Sequence, residues 1–201
     1  MKRVRFAACA LAGCLMLSLT SCGLLPRQTD AADEAILRVI TLHREGEELV
    51  LTAVTAGIQT GENSEPPETV EGRGSDYWSA RNDLKRQREA SLVHTTDWIV
   101  EQNALGDLLN SFVEDPELTY AAHIYILKDQ SVSEFLADFS EDETGPARAL
   151  ADLDRAPGIE GLTALKCSAR LAAGECCEIP ALRAENGKAH LDGTVEVTRW
   201  K

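Results

Sequence analysis

The thiol of Cys22 is the side chain whose type and surroundings most directly predict a chemical modification. It ends the sequence LTSC, in which an aliphatic residue and two small residues precede the cysteine, as in a lipobox. A thiol can carry a diacylglyceryl group through a thioether, and small residues give a signal peptidase access to the bond before it. Cys22 is therefore the predicted lipid-attachment site. Cys14 ends a second match, LAGC, but the apolar stretch before it has only about half of the usual length.

The residues before Cys22 predict export. Three of the first five residues are basic, and residues 6–19 are apolar without any charge. This stretch is shorter than the roughly 20 residues of a membrane-spanning helix and is typical of a signal peptide. We therefore predict that residues 1–21 are a lipoprotein signal peptide and residues 22–35 a tether, so that the lipid holds the chain on the outer face of a membrane. A plain secretory signal and an uncleaved anchor are the alternatives.

Three further cysteines lie near the end of the chain, at Cys167, Cys176 and Cys177. An odd number of thiols in an exported chain allows one disulfide, between Cys167 and either of the other two, with one thiol left over. A metal site that adds His190 would lack the C-x2-C spacing of zinc sites. Thiols without a role are the simplest interpretation, and Cys167 with His190 is the best candidate pair for an enzyme acting on the cell envelope.

The sequence contains none of the short motifs that mark nucleotide binding or catalysis: no GxxxxGK[ST], no GxGxxG after a strand, no GxSxG and no HExxH. We therefore predict no catalytic residue, no metal, no cofactor and no enzymatic activity. Without residues 1–21, 17 Lys and Arg oppose 33 Asp and Glu, a net charge of −16. Such a charge argues against nucleic acid as a partner, and against binding of an anionic lipid surface by charge alone.

Hydrophobic patterning predicts that strands alternate with short helices after residue 35. The predicted strands are 36–43, 49–55, 91–100, 118–127, 176–182 and 189–197, and the predicted helices are 76–89, 104–114, 131–139, 147–155 and 162–173. The segment 59–72 is predicted to be an exposed loop, and His94 and His123 fall in strands. Since the strand at 118–127 is apolar on both faces, it should be central. The predicted fold is α+β, a twisted mixed β-sheet with short helices packed on it.

Two segments in the middle of the chain carry a resemblance to a known family. The sequence EGRGSDYWSARNDL at 71–84 combines a small-residue turn with a helix, and EDPEL at 114–118 is an acidic turn with a proline before a strand. His94 and the tail from IPAL to LDGTVEV at 179–197 follow in matching order. These features resemble the C subunits of spore germinant receptors, the Ger(x)C-type lipoproteins of spore-forming bacteria. The Trp-Asp-Arg-Arg-Glu type of segment that follows the lipid cysteine in that family is absent here.

The resemblance implies an N-terminal α+β domain at 36–157 and a partial C-terminal segment at 158–201, because members of the family are longer. It implies a role in nutrient-triggered spore germination, within a receptor that has integral-membrane partner subunits. The loop 59–74 and the helix 76–89, with its basic run, are candidate contact faces; the alternative for the basic run is a solvated helix face. The alternative function is that of a generic envelope or solute-binding lipoprotein of a Gram-positive cell.

Overall fold

The computed structural model describes residues 35–55, 59–60, 63–64, 68–87, 90–140, 145–154 and 162–198. The predicted signal peptide lies outside these residues, as do Cys14, Cys22 and all of the predicted tether except its last residue. No helix within the described ranges is long and apolar enough to cross a bilayer.

The strands of the described residues form one large mixed sheet and one small hairpin. They are β1 (Ala35–Glu45), β2 (Glu48–Thr55), β3 (Gln59–Thr60), β4 (Asn63–Ser64), β5 (Thr69–Gly74), β6 (Ala90–Ser91), β7 (Asp97–Glu101), β8 (His123–Leu127), β9 (Cys177–Glu185) and β10 (Lys188–Val197). The order in the large sheet is β10-β9-β8-β7-β1-β2-β5, while β6 pairs with the start of β1 and β3 pairs with β4. Since β1, β7, β8 and β9 run parallel and the hairpin partners run antiparallel, the sheet is mixed.

Helices cover both faces of this sheet. They are α1 (Tyr77–Gln87), α2 (Leu105–Glu114), α3 (Val132–Ala137), α4 (Gly145–Asp154) and α5 (Ala164–Ala172). On one face α1, α2 and α5 share a core with Trp98 and Phe112, whereas on the other α3 and α4 pack against Tyr125. Burying each of these large side chains contributes roughly 1.5–3 kcal/mol. The predicted α+β fold, with short helices on a mixed sheet, is confirmed.

The N-terminal hairpin follows its prediction closely. β1 and β2 pair around Gly46, whose φ of 63° is a conformation that glycine adopts without strain. A β-bulge between Leu37 and Val39 changes the alternation of side chains. As a result Leu37 and Ile40 both enter the core on the α1 side, while Val39 enters the other core.

The strand predicted at 118–127 is central but shorter. β8 lies between β7 and β9, and its residues from Ile124 to Leu127 are buried, which confirms its position. Residues 118–122 instead form a turn, in which the Ala122 N–H donates to the Thr119 carbonyl at 3.0 Å. Because this turn contains apolar residues, the sequence pattern predicted it as part of the strand.

The strand predicted at 91–100 is divided by another turn. β6 ends at Ser91 and β7 begins at Asp97, and between them the Thr95 N–H donates to the Leu92 carbonyl at 3.1 Å. His94 therefore lies exposed in a turn, and its prediction as a strand residue was wrong. His123 begins β8, as predicted.

The segment predicted as the exposed loop 59–72 contains strands. β3 and β4 form a short hairpin within it, and β5 pairs with β2 as the edge of the large sheet. Because β5 contains two glycines and two charged residues, its hydrophobic pattern does not indicate a strand. At the other edge, β9 and β10 come from the segment 158–201. The large sheet therefore includes strands from both sides of the predicted boundary at residue 157. The division at that residue stays a prediction.

Candidate functional site

Helix α1 lies directly on the edge strand β5 because two glycines of that strand have no side chain. A Cβ atom at Gly72 would stand 2.3 Å from the carbonyl oxygen of Ala80 and 2.5 Å from the Leu84 nitrogen. One at Gly74 would stand 2.5 Å from the Ala80 nitrogen. Any larger residue would push the helix backbone away from the strand. The small-residue turn that begins the resemblance is therefore a requirement of close packing.

Asp76 caps the N-terminus of α1. Its Oδ1 accepts a hydrogen bond from the Ser79 N–H at 2.8 Å, and Ser79 Oγ accepts one from the Asp76 N–H at 3.1 Å. These bonds satisfy backbone donors that the start of a helix would leave without partners. The hydrogen bond from the Ser79 N–H is also the main cause of the lowered pKa of Asp76. Asp76 is therefore the residue at which the predicted helix 76–89 begins.

A buried ion pair joins α1 to the turn after α2. Arg81 Nε lies 2.7 Å from Asp115 Oδ2, and the two side chains are 10% and 0% exposed. The Tyr77 hydroxyl donates to the same oxygen at 2.9 Å, and the Glu117 N–H donates to Oδ1 at 3.0 Å. Burial, and after it the charge of Asp115, raise the pKa of Tyr77, which keeps its hydroxyl protonated as a donor. A buried carboxylate needs such partners, because an unpaired charge there would cost several kcal/mol.

Glu117 extends these contacts toward the surface. Its carboxylate lies 2.9 Å from Arg81 Nη2 and 2.7 Å from Lys85 Nζ. Partial burial acts to raise the pKa of Glu117, but the hydrogen bond from Lys85 and the charge of Arg81 outweigh it, and the pKa is lowered. We call Tyr77, Arg81, Lys85, Asp115 and Glu117 the Arg81–Asp115 network.

The Arg81–Asp115 network unites the two segments that carry the resemblance. Arg81 belongs to the helix motif. Asp115, 34 residues further along the chain, and Glu117 are two of the three acidic residues of the proline turn. This pairing is not among the predictions from the sequence, although the sequence contains a signal for it. Arg81 falls on the same buried stripe of α1 as Tyr77 and Leu84, where a cation needs a partner.

Part of the basic run of α1 forms ion pairs with acidic residues of the same chain. Lys85 pairs with Glu117, while Arg86 is 75% exposed and lies 3.4 Å from Asp83 one turn earlier. Residues 88–89 lie outside the described part of the helix segment. The structure therefore divides the predicted contact face: one cation supports the fold and another stays at the surface.

Trp78 and Arg73 mark the exposed surface that α1 and β5 form together. Trp78 is 37% exposed, its ring lies 5.3 Å from the Arg81 guanidinium carbon, and its Nε1 donates to Glu114 at 3.2 Å. Arg73 pairs with Glu71 at 3.1 Å and also with Glu45, the last residue of β1. This surface contains an aromatic ring among paired charges.

The late cysteines occupy two different environments. Cys167 and Cys177 are buried together between α5 and β9, close enough for a thiol hydrogen bond, whereas Cys176 is exposed. Burial, with a smaller effect of the neighbouring thiol, raises the pKa of Cys167, and burial also raises that of Cys177. Of the two disulfide partners that the sequence left open for Cys167, the structure brings Cys177 to it. All three are free thiols.

The candidate pair of Cys167 and His190 does not form. His190 is exposed on β10 opposite Arg183, six residues along β9 from Cys177, which corresponds to about 20 Å. Cys167 lies beside Cys177, so the imidazole is far from the thiol. Within the described ranges there is no group of three or more His, Cys, Asp or Glu side chains placed to hold a metal ion.

A second polar contact, not predicted from the sequence, joins the starts of β7 and β8. His123 Nδ1 lies 3.5 Å from Asp97 Oδ1, and the Thr96 hydroxyl donates to Asp97 Oδ2 at 2.6 Å. Asp97 is almost fully buried. Since the two strands are paired at these residues, the contact aligns their first positions.

A shallow depression of about 360 Å³ lies where the parallel strands β7 and β8 end. Ligands of α/β proteins often bind at this end of the sheet. Two of its polar side chains are used within the chain: Glu101 accepts from the Val132 N–H at 3.2 Å, and Gln130 exchanges two hydrogen bonds with the Ala184 backbone. The depression is therefore a weaker candidate for solute binding than its position suggests.

Comparison with known proteins gives one structural similarity. No protein-family model and no curated protein matches the sequence. Among solved structures, the crystal structure of the GerBC protein matches with a TM-score of 0.36 and 18% sequence identity, over 80% of this chain and 48% of that chain. The chain therefore spans about half of the length of that protein. A TM-score of this size does not by itself assign a function.

Proposed function

We propose that this chain is a lipid-anchored component of a spore germinant receptor, without catalytic activity, and that it acts in nutrient-triggered spore germination. The observation that carries the proposal is the Arg81–Asp115 network. The motifs that resemble the receptor C subunits meet there in one packing unit, in which Arg81 binds two of the three acidic residues of the proline turn. Segments of the resemblance that lie far apart in the sequence are therefore in contact in this chain.

The lipid on Cys22 would hold the folded part at the outer face of the membrane. The integral-membrane subunits of the receptor are the proposed partners. We place the contact on the surface formed by α1 and β5, because Trp78 and Arg86 are exposed there and aromatic and arginine side chains often dominate protein interfaces. Binding to the partners would then couple the anchored domain to the response to the nutrient.

Germination of spores that lack the gene tests this proposal. Nutrient-triggered release of dipicolinic acid should be impaired in the deletion strain and restored by the wild-type gene. The Cys22→Ala gene should fail to restore it, whereas Cys14→Ala, at the alternative lipobox, should restore it fully. Incorporation of labelled palmitate into the wild-type and Cys14→Ala proteins, but not into Cys22→Ala, would locate the lipid.

Two outcomes would count against the proposal. Normal germination of the deletion strain with every nutrient tried would place the protein outside germination and favour the general envelope lipoprotein. Full activity of an unlipidated Cys22→Ala protein would remove the anchor from the mechanism.

A further inference from the structure

An exposed apolar patch lies at the end of the sheet where the parallel strands begin. Val93, Tyr120 and Leu165 are 49%, 45% and 57% exposed. Their backbone segments are neighbours, because the Thr119 hydroxyl donates to the Val93 carbonyl at 2.6 Å and the Leu165 N–H donates to the Tyr120 carbonyl at 3.0 Å. We call these three side chains the apolar patch. Large apolar side chains grouped at a surface in this way indicate a contact site.

The segments that carry the apolar patch are free of acidic residues. Segments 90–96, 118–123 and 162–174 contain no Asp or Glu, although the whole chain has 33. Lys166 follows Leu165 directly and is exposed. Exposed Arg38 lies beside the same turns, since its carbonyl accepts hydrogen bonds from Thr96. The three segments that carry the apolar patch are therefore neutral to basic in a strongly acidic chain.

The polypeptide enters the fold at this same end. Ala35, the first described residue, pairs with Ala90 in β6, and Val93 follows three residues later. About 13 residues separate Ala35 from Cys22, and such a length spans at most about 45 Å. The hairpin turn at Gly46 lies at the other end of the 11-residue strand β1, about 33 Å further away. A lipid on Cys22 would therefore hold the apolar patch within reach of the bilayer, at the end of the domain to which the tether is joined.

We propose that the apolar patch is a membrane-contact surface, which inserts Val93, Tyr120 and Leu165 between the headgroups of an anionic bilayer. This inference rests on the proposed lipid anchor at Cys22. Tyrosine suits the interface between headgroups and acyl chains because its ring is apolar and its hydroxyl is polar. Lys166 and Arg38 would meet the anionic headgroups, which attract basic residues within a Debye length of the surface. The contact fixes the orientation of the domain and leaves the α1 and β5 surface available to protein partners.

A fluorescent probe placed at the apolar patch tests the contact. The mature lipidated protein, with exposed Cys176 replaced by Ser, receives one new cysteine at Val93→Cys or Leu165→Cys for an environment-sensitive dye. Glu47→Cys, in the exposed turn at the opposite end of β1, is the matched control. The protein is bound to protein-free vesicles of phosphatidylcholine, with or without phosphatidylglycerol.

On vesicles with phosphatidylglycerol we expect a blue shift of the dye at positions 93 and 165, together with protection from iodide quenching. The dye at position 47 should behave as in water. Added salt, or Lys166→Glu, should reduce the shift, because the basic residues then lose their attraction to the headgroups.

Several results would overturn the inference, and they are distinguishable. If the protein stays on the vesicles while the dyes at positions 93 and 165 match the control, the anchor stands and the contact does not exist. If the protein does not bind vesicles, the anchor fails and the contact with it. A shift that depends on protein concentration without vesicles would assign the patch to a second copy, and a shift seen only in membranes with receptor subunits would assign it to a protein partner.

Discussion

The substitution Arg81→Met tests whether the Arg81–Asp115 network holds α1 on the rest of the domain. Methionine keeps most of the length and apolar surface of the arginine stem but removes its charge. The Asp115 carboxylate, which is 0% exposed, would then keep only the hydrogen bonds from the Tyr77 hydroxyl and the Glu117 N–H. A buried carboxylate without a cation should destabilise the folded state.

The size of the effect follows from the burial of the pair. Removing one partner of a buried ion pair costs roughly 3–5 kcal/mol, because the remaining charge stays out of water. For a domain of this size each kcal/mol lowers the melting temperature by about 2–4 °C. We therefore expect Arg81→Met to lower it by roughly 6–20 °C. Asp115→Asn should cost less, about 1–3 kcal/mol, since the amide oxygen can still accept from Tyr77 and Arg81 keeps Glu117.

The measurement is urea and thermal unfolding of the mature protein, followed by circular dichroism. Arg86→Met is the matched control on the same helix, because Arg86 is 75% exposed and its contact with Asp83 should contribute no more than about 0.5 kcal/mol. If Arg81→Met were no less stable than Arg86→Met, the network would not support the fold and the reasoning would be wrong.

Three further predictions concern packing, pH and thiol chemistry. Gly72→Ala should cost about 1–3 kcal/mol in urea unfolding, since the added Cβ meets the backbone of α1; an unchanged midpoint would contradict the close approach. The pKa of Glu117 is lowered in the fold, so its contribution to stability is present above the ordinary value of 4.5 and is lost as the pH falls through the lowered one. Wild type should therefore lose more stability than Glu117→Gln as the pH falls from 5 to about 3; parallel curves would refute this. Iodoacetamide should label Cys176 in the native protein and reach Cys167 and Cys177 only in urea, because burial raises their pKa and blocks access; mass spectrometry of the alkylated peptides decides.

Local signals in the sequence were sufficient for much of the fold. Runs of β-branched and apolar residues around Gly46 predicted the first hairpin, and Ser131 with Glu134 forms the capping box that starts α3, at the start of the predicted helix 131–139. These features depend on contacts between residues close in the chain. The fully apolar run in β8 predicted a central strand, because only a strand covered on both faces is apolar on both.

Strand limits and the edge strand were not predictable in the same way. Residues 118–122 have strand-like composition, yet they turn because the chain must leave α2 and enter β8 between two neighbours. β5 has a loop-like composition, yet it pairs with β2 as a strand. Its glycines leave room for the backbone of α1 to pack directly on it. In both cases a partner distant in sequence overrides the local preference.

The sequence by itself determined the lipobox at Cys22 as a prediction, the class of fold and the identity of the motifs, because each depends on neighbouring residues along one chain. The tertiary structure alone decided which distant side chains meet. It paired Arg81 with Asp115, placed Cys167 beside Cys177 and away from His190, and gathered the apolar patch at the end where the chain enters. The physical reason is that ion pairs, buried thiols and surface patches depend on distances through space, which packing of the sheet and helices sets.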